Sequence, residues 1–377
     1  MSWSTVSLGT LCDVKTGKKD VNEGNENGVY PFFTCAAKHT FSDVFSFDCE
    51  AILIAGNGAV GQTSYYNGKF EAYQRTYVLC NFNGVLPKYL LYVLNESLID
   101  KLSSKVLGNT IPYIKKGMLT EFQVPLPSLK IQQMIVDKLN LILYELDKSS
   151  AANEANIKNA DDLLVSYVSK AFNTLKNDYE YIKLGDVCSS VGYGSSAKSD
   201  SIGKVPVLRM GNILNGELDF SDLVFTSDEV EIEKYILSNG DVLFNRTNSP
   251  LHVGKSAVFF STDKTIFAGY LIRINYDRKK LIPEFLSYYL NSKEVRQYGY
   301  SVMSHSINQA NINGSKLKSY PFICPPIEIQ KFVVDSINSV KNKCHILVEN
   351  YKNKKKNISS YKKSILRKAF NGELIKE

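Results

Sequence analysis

The chain has 377 residues, 44% of them hydrophobic and 22% charged, with a formal net charge of +7 and a pI near 8.8. Single hydrophobic cores stop growing beyond ~250–300 residues, so this length holds two domains plus a helical element. The composition is that of an ordinary soluble globular protein, and the basic excess suits a polyanionic partner without requiring one.

Residues 1–123 alternate short apolar runs with turn signals and read as a mostly β domain. The runs are "VYPFF" at 29–33, "AILIA" at 51–55, "TSYYNGKF" at 63–70 with Asn67-Gly68 as a hairpin turn, and "TYVLC" at 76–80. "LPKYLLYVLNESL" at 86–98 predicts a short amphipathic helix with its proline near the start.

Residues 124–177 carry a long helix. Ile135, Leu139, Ile142, Leu146, Asn153, Ala160 and Tyr167 fall on one heptad-spaced seam, with Ser149 and Asn156 or Ile157 near it. Residues 178–321 repeat the order of the first block. "VSLGTLCDV" at 6–14 returns as "IKLGDVCSS" at 182–190, "CEAILIAGNGAVGQTSYY" at 49–66 as "NGDVLFNRTNSPLHVGKSAVFF" at 239–260, and "LPKYLLYVLNE" as "IPEFLSYYLNS" at 282–292. Residues 322–377 repeat the helix, with Val333, Ile337, Val340, Cys344, Leu347, Tyr351, Ile358 and Ile365 on the matching seam. Gln132 maps to Gln330, and Ala171-Phe172-Asn173 to Ala369-Phe370-Asn371, both at a spacing of 198 residues.

The expected fold is therefore α+β: two mostly β domains with short helices, separated by two long antiparallel helices forming a coiled coil, in a pseudo-twofold tandem repeat. Some 43 helical residues reach about 64 Å at ~1.5 Å per residue, which makes the pair a ruler. Two similar surfaces related by an approximate twofold suit two separated sites on DNA, and unlike loops on one scaffold suit unlike half-sites.

Local motifs for catalysis are weak. Gly56-Asn57-Gly58-Ala59-Val60-Gly61 satisfies GxGxxG, but strand-like residues follow it where a dinucleotide site needs a helix. Its glycines are expected to shape a tight loop. Gly254-Lys255-Ser256 resembles the end of a phosphate-binding loop but precedes the strand-like "AVFF". Cys324-Pro325-Pro326-Ile327 reads as a rigid lead-in to the second long helix. Histidines at 39, 252, 305 and 345 are too dispersed for a metal site, and cysteines at 12, 35, 49, 80, 188, 324 and 344 form no CxxC. The thiols are expected to be core residues in a reducing compartment, no catalytic, cofactor or metal residues are assigned, and no apolar run approaches the ~18 residues of a membrane span. The chain is expected in the cytoplasm, with no membrane partner.

The polar loops carry the residue types used to read base edges and hold phosphates. In the first block the candidates are Lys15, Lys18, Lys38, Asn57, Gln62, Gln74, Arg75, Asn109 and Tyr113; in the second they are Arg209, Asn212, Arg246, Asn248, His252, Lys255, His305, Asn308 and Gln309. Arg75 and Arg246 each sit beside an apolar run, where an arginine needs a phosphate, a base or a carboxylate as partner. Lysines at 352, 354, 355, 356, 362, 363 and 368, with Arg367, make the second long helix basic, either as a solvated face or as a contact with DNA phosphate or an acidic subunit.

These features together resemble the DNA specificity subunit of type I restriction-modification systems. They are the Leu-Gly openings at 8–9 and 184–185, the turns Val60-Gly61-Gln62 and Val253-Gly254-Lys255, "PLPSLKIQQMIVDKL" and "CPPIEIQKFVVDSI" entering the long helices, and "KAF" near each helix end. The resemblance covers essentially the whole chain. It implies that residues 1–123 and 178–321 are target recognition domains, each reading one half of a bipartite, asymmetric duplex target. Residues 124–177 and 322–377 would be the conserved spacers. It implies a non-catalytic subunit without its own cofactor, recruiting two modification subunits that use S-adenosylmethionine to methylate adenine. Restriction subunits that use ATP and Mg would also join. Against this stand a coiled-coil adaptor without sequence readout and, on weaker grounds, a methyltransferase or nuclease fragment.

Overall fold

The computed structural model describes residues 3–36, 38–102, 112–306 and 309–375. The chain divides into two compact units, Met1–Glu154 with Lys352–Glu377, and Ala155–Tyr351. Both cuts fall inside long helices, so each unit is a β-rich domain with the start of one long helix and the end of the other.

The first unit runs β1 (Thr5–Ser7), α1 (Leu8–Leu11), β2 (Asp13–Thr16), β3 (Tyr30–Phe33), β4 (Thr40–Ser42), β5 (Phe47–Ala55), β6 (Thr63–Ala72), β7 (Thr76–Cys80), α2 (Pro87–Leu102), α3 (Lys116–Thr120) and β8 (Gln123–Pro125), then enters α4 (Leu129–Leu175). Six strands form one sheet in the order β2-β7-β5-β6-β3-β4, antiparallel except for β3 beside β6. The apolar run in β5 is buried on both faces. Ile52 and Ile54 pack with Leu79 of β7, with Tyr89, Val93 and Leu94 of α2, and with Ile135 and Leu139 of α4. Ala51 and Leu53 pack on the other side with Phe33, Phe70 and Val78. A strand covered on both faces reads as a continuous apolar segment rather than an alternating one.

Asn67-Gly68 is not a hairpin turn. It lies within β6, where Glu50 faces Asn67 and Cys49 faces Gly68 in a ladder that runs unbroken from Phe47↔Phe70 to Ile54↔Thr63. That long partner keeps β6 extended. The turn joining β5 to β6 is the glycine loop at 56–62, with Gly58 at φ +61° and Gly61 at φ +79°.

The second unit contains β9 (Ile182–Lys183), α5 (Leu184–Val187), β10 (Cys188–Tyr193), β11 (Val205–Leu208), β12 (Ile213–Leu214), β13 (Glu217–Leu218), β14 (Val224–Thr226), α6 (Glu229–Tyr235), β15 (Asp241–Asn245), β16 (Thr247–Asn248), β17 (Ser256–Phe259), β18 (Ile266–Phe267), β19 (Leu271–Tyr276), α7 (Pro283–Asn291), α8 (Lys293–Val302), β20 (Ser304–Ser306), β21 (Gln309–Asn311), α9 (Gly314–Lys318), β22 (Pro321–Phe322) and the start of α10 (Ile327–Phe370). Its central sheet has the order β10-β19-β15-β17. Val242 and Phe244 of β15 face Phe285 and Tyr289 of α7, Phe172 of α4, and Val333 and Ile337 of α10. Leu243 turns to the other side, with Ala257, Phe259 and Phe267.

The two halves use the same local bonds. Leu8 N–H donates to Phe122 O at 2.9 Å, and Leu184 N–H to Tyr320 O at 2.9 Å. The Tyr92 hydroxyl donates to Asn140 Oδ1, and Tyr288 to Asn338 Oδ1. Each Ala-Phe at a helix end enters a core: Phe172 meets Phe285 and Tyr289 edge-on at 5.2 Å, and Phe370 meets Tyr89 at 5.7 Å.

α4 has 47 residues and α10 has 44. Within the first unit they run antiparallel, because positions rise along one helix as they fall along the other: Lys355 pairs with Glu154, Lys362 with Asp147, and Lys138 Nζ donates to Leu374 O. Lys355 and Lys362 are thus engaged across the helix pair. Along α4 the inward positions step through Ile142, Leu146, Ser150 and Asn153, and along α10 through Val340, Cys344, Val348 and Tyr351. Leu347 does not lie on the seam. It is 42% exposed, and Ser149 at the matching place in α4 is exposed too. The reason is helical drift: 3.6 residues per turn do not divide seven, and a 3-4-4 step over 11 residues returns the stripe to one side.

Candidate nucleic-acid interface

Each unit gathers its polar loops around one glycine-closed turn. In the first, Ala55 N–H donates to Gln62 O at 2.9 Å and Gly61 N–H to Ala55 O at 2.8 Å; in the second, Asn245 N–H donates to Lys255 O at 2.8 Å and Gly254 N–H to Asn245 O at 2.7 Å. Gly61 and Gly254 sit at φ +79° and +85°, the left-handed region that glycine enters without strain. Gln62 and Lys255 are therefore equivalent, as their local sequences predict.

The backbone bonds fix a second equivalence, of an arginine with a glycine. Gly56 N–H donates to Arg75 O at 2.9 Å and Gly56 O accepts from Ile114 at 3.0 Å, while Arg246 N–H donates to Tyr270 O at 3.0 Å and Arg246 O accepts from Ile312 at 2.8 Å. Arg246 thus occupies the place of Gly56, and Thr247, which faces Asn311, that of Asn57, which bridges to Tyr113.

In the first unit the structure brings Asn57, Gln62, Arg75 and Tyr113 to this turn. Cys35 joins them, its Sγ donating to Arg75 O at 3.4 Å and its carbonyl accepting from Ala59 N–H at 3.4 Å. Arg75 is exposed, so its side chain does not face the buried environment that its neighbouring apolar run suggested. His39, Gln62 and Ser64 line a small cleft. His39 Nδ1 is buried without a partner, and burial holds the imidazole below its ordinary pKa. Gln74 Nε2 donates to Asp20 Oδ2 at 3.3 Å, and Lys15 pairs with Asp13 at 3.4 Å. Lys18 and Lys38 are exposed, and Asn109 lies outside the described residues.

In the second unit β16, β21 and β20 make a three-stranded polar sheet, with Asn248 and His305 both facing Ala310 and Gln309 at the strand end. Asn308 lies outside the described residues. Arg209, Asn212, Asn248 and His252 line a cleft of about 370 Å³ with Asp219 and Asp222. Asn212 is only 3% exposed. Its Oδ1 accepts from Arg209 N–H at 2.8 Å and its Nδ2 donates to the carbonyls of Asp219 and Asp222 at 2.9 Å. With its amide spent inside the loop, Asn212 shapes the cleft rather than offering a recognition edge. Arg209 pairs with Asp222 at 3.0 Å.

Lys255 and Arg296 form a cationic pair beside His252. Lys255 is held below its ordinary pKa first by burial and then by Arg296; His252 is held low first by burial and then by Lys255 and Arg296. Arg296 donates to the carbonyls of Val253 and Leu251, and among the described residues no carboxylate pairs with it. Cations that depress one another favour an anion beside them. Arg296 and Tyr193, whose ring lies against Arg246, were not legible in the sequence: one sits in a helical stretch, and the other precedes a glycine in an unremarkable strand.

The sequence profile of the type I restriction modification DNA specificity domain matches residues 1–159 and 176–360. The chain is 41% identical over 154 residues to the type I restriction enzyme EcoDI specificity subunit of Escherichia coli, a match covering 41% of this chain and 34% of that protein. It is 26% identical over 334 residues to the StySPI specificity subunit of Salmonella potsdam, covering 81% of this chain and 71% of that protein. Over 356 residues it is 25% identical to the EcoKI specificity subunit of Escherichia coli strain K12, covering 86% and 75%. Its fold matches the HsdS subunit from Thermoanaerobacter tengcongensis with a TM-score of 0.56 at 16% identity, covering 99% of this chain and 97% of that one. A chain solved in work on assembly and conformational transition of the type I R-M system gives a TM-score of 0.74 at 17% identity, covering 99% and 98%. With both β-rich blocks and the greater part of each long helix inside the matched region, the chain belongs to the type I restriction modification DNA specificity family.

Proposed function

We propose that the chain is the DNA-binding specificity subunit of a type I restriction-modification complex, working in the cytoplasm and leaving catalysis to its partners. Each β-rich domain reads one half of a bipartite target. The long helices form a coiled coil that sets the gap between the half-sites, relate the halves by an approximate twofold, and dock two modification subunits. S-adenosylmethionine belongs to the modification subunits, and ATP with Mg to restriction subunits that join them.

The observation that carries this reading is one scaffold bearing two different sets of polar side chains. The turn closed by Gly61 or Gly254 is held by the same bonds in both units, yet Gly56, Asn57 and Gln62 stand in one where Arg246, Thr247 and Lys255 stand in the other. Equal backbones with unequal donors suit two unlike sequences. Docking is supported by Met134 and Phe332, 198 residues apart, which are 44% and 71% exposed in the opening turns of α4 and α10.

The test is a methylation map. The chain and its modification subunit are expressed in a host without other adenine methyltransferases, and modified adenines are located across the genome. A split motif that changes on one side only when residues 178–321 are exchanged is the expected result. Methylation or binding without sequence preference would instead favour an adaptor.

A further inference from the structure

We propose that Arg246 reads a guanine in the half-site of the second unit, and that Tyr193 is the positioning residue that holds its guanidinium flat for a two-point contact. This rests on the assignment of the second unit as a target recognition domain.

Among the described residues, Arg246 shares with Arg75 and Arg296 the lack of a carboxylate partner, and differs from both in a buried, unpartnered Nε beside an aromatic ring. Arg209, Arg273, Arg278 and Arg367 have carboxylate partners. Arg246 has none, although it is half-buried. Its Nη1 reaches Gly269 O only at 3.4 Å, and its Nε is buried without a partner. The guanidinium carbon lies 4.6 Å from the centroid of the Tyr193 ring. That ring is fixed by its hydroxyl, which accepts from Gly314 N–H at 2.9 Å.

The backbone of Arg246 is clamped on both sides, by Tyr270 O and Ile312 N. A planar fork stacked on a fixed ring is presented in one orientation, which bidentate bonding to guanine O6 and N7 requires and a point contact with phosphate does not. Phosphate-type cations are supplied separately by Lys255 and Arg296. The readout is confined to one half-site, because Gly56 holds this place in the first unit. A Cβ there would lie 2.4 Å from Arg75 O and 2.8 Å from Tyr77 Cε2, leaving no room for a side chain.

The experiment selects duplexes from a randomised pool with the complex of the full chain and its modification subunits. Wild type, Arg246→Ala, Arg246→Lys, Tyr193→Leu and Tyr193→Phe are compared. Wild type should return two sequence blocks, one containing a guanine whose replacement costs roughly 5- to 150-fold in affinity. Arg246→Ala and Arg246→Lys should lose that preference at one base pair and keep the other block. Tyr193→Leu should relax the same base pair, and Tyr193→Phe, which keeps the ring but loses the anchor of its hydroxyl to Gly314 N–H, should relax it less. Replacing the guanine by 7-deazaguanine should weaken wild type and leave Arg246→Ala unchanged.

A uniform loss across all sequences in Arg246→Ala, with a shallower salt dependence, would make Arg246 a phosphate contact and overturn the assignment. An unaltered preference in Tyr193→Leu would overturn the role of the tyrosine. Two blocks in wild type that persist unchanged in Arg246→Ala would refute this inference alone, whereas no block in wild type would refute the recognition reading with it.

Discussion

Gln132 and Gln330 stand 198 residues apart, are both fully buried, and make the same bonds. Gln132 Oε1 accepts from Leu86 N–H at 2.8 Å, and Gln330 Oε1 accepts from Ile282 N–H at 2.9 Å. Gln132 Nε2 donates to the carbonyls of Gly84 and Pro127, and Gln330 Nε2 to those of Lys280 and Pro325. Each glutamine thus pins the first turn of a long helix to the loop that opens a short one.

Gln132→Ala and Gln330→Ala should each cost about 1–3 kcal/mol per buried group left unpaired. Urea denaturation of the two variants checks this. Because each network is enclosed in its own unit, hydrogen exchange should rise around residues 84–90 in the first variant and 280–286 in the second.

The aromatic rings at the helix ends should cost more. Phe172→Ala and Phe370→Ala remove buried rings packed edge-on against aromatic neighbours, a class of change that typically costs about 3–5 kcal/mol. Denaturation midpoints measure the loss, and an effect below 1 kcal/mol would show that the helix ends are not integral to the domain cores.

The ion pairs between α4 and α10 should matter little for stability. Lys355–Glu154 and Lys362–Asp147 are largely open to water on their acidic side, so Lys362→Glu should cost about 1 kcal/mol or less. Pairing it with Asp147→Lys should recover most of that loss in a double-mutant cycle.

Thiol labelling should separate the cysteines by environment. Cys12 and Cys188 occupy matching places, and burial pushes both thiols up to about 12, chiefly by desolvation. Neither should react with a disulfide reagent at neutral pH in the folded protein, and all seven should react after unfolding. Rapid labelling of Cys12 or Cys188 would contradict their burial.

His39 makes the first unit sensitive to mild acid. Its imidazole is held below the ordinary histidine value by burial, so the unfolded chain binds the proton more readily than the folded one. The associated stability is present above the ordinary histidine value and is lost as pH falls through the depressed one. His39→Gln should therefore flatten the fall in urea midpoint between neutral pH and about pH 5.

Some of this was written in local sequence. Apolar runs such as "AILIA" located strands, the repeat at a spacing of 198 residues located both long helices, and Gly61 and Gly254 marked equivalent turns because each must adopt positive φ. Other features depended on distant partners. Asn67-Gly68 has the composition of a turn, yet pairing with β5 holds it extended. Leu347 fits a heptad, but the drift of a real helix places Val348 inward instead. Asn212 and Arg209 looked alike as polar loop residues, and only the carbonyls around Asn212 consigned it to the scaffold.

By itself the sequence determined the doubled order of domains and helices, because periodicity, prolines and glycines act over a few residues. Tertiary structure decided which polar side chains remain available for recognition. Arg246 is separated by 53 residues from Tyr193, and only the folding of their strands puts guanidinium and ring 4.6 Å apart.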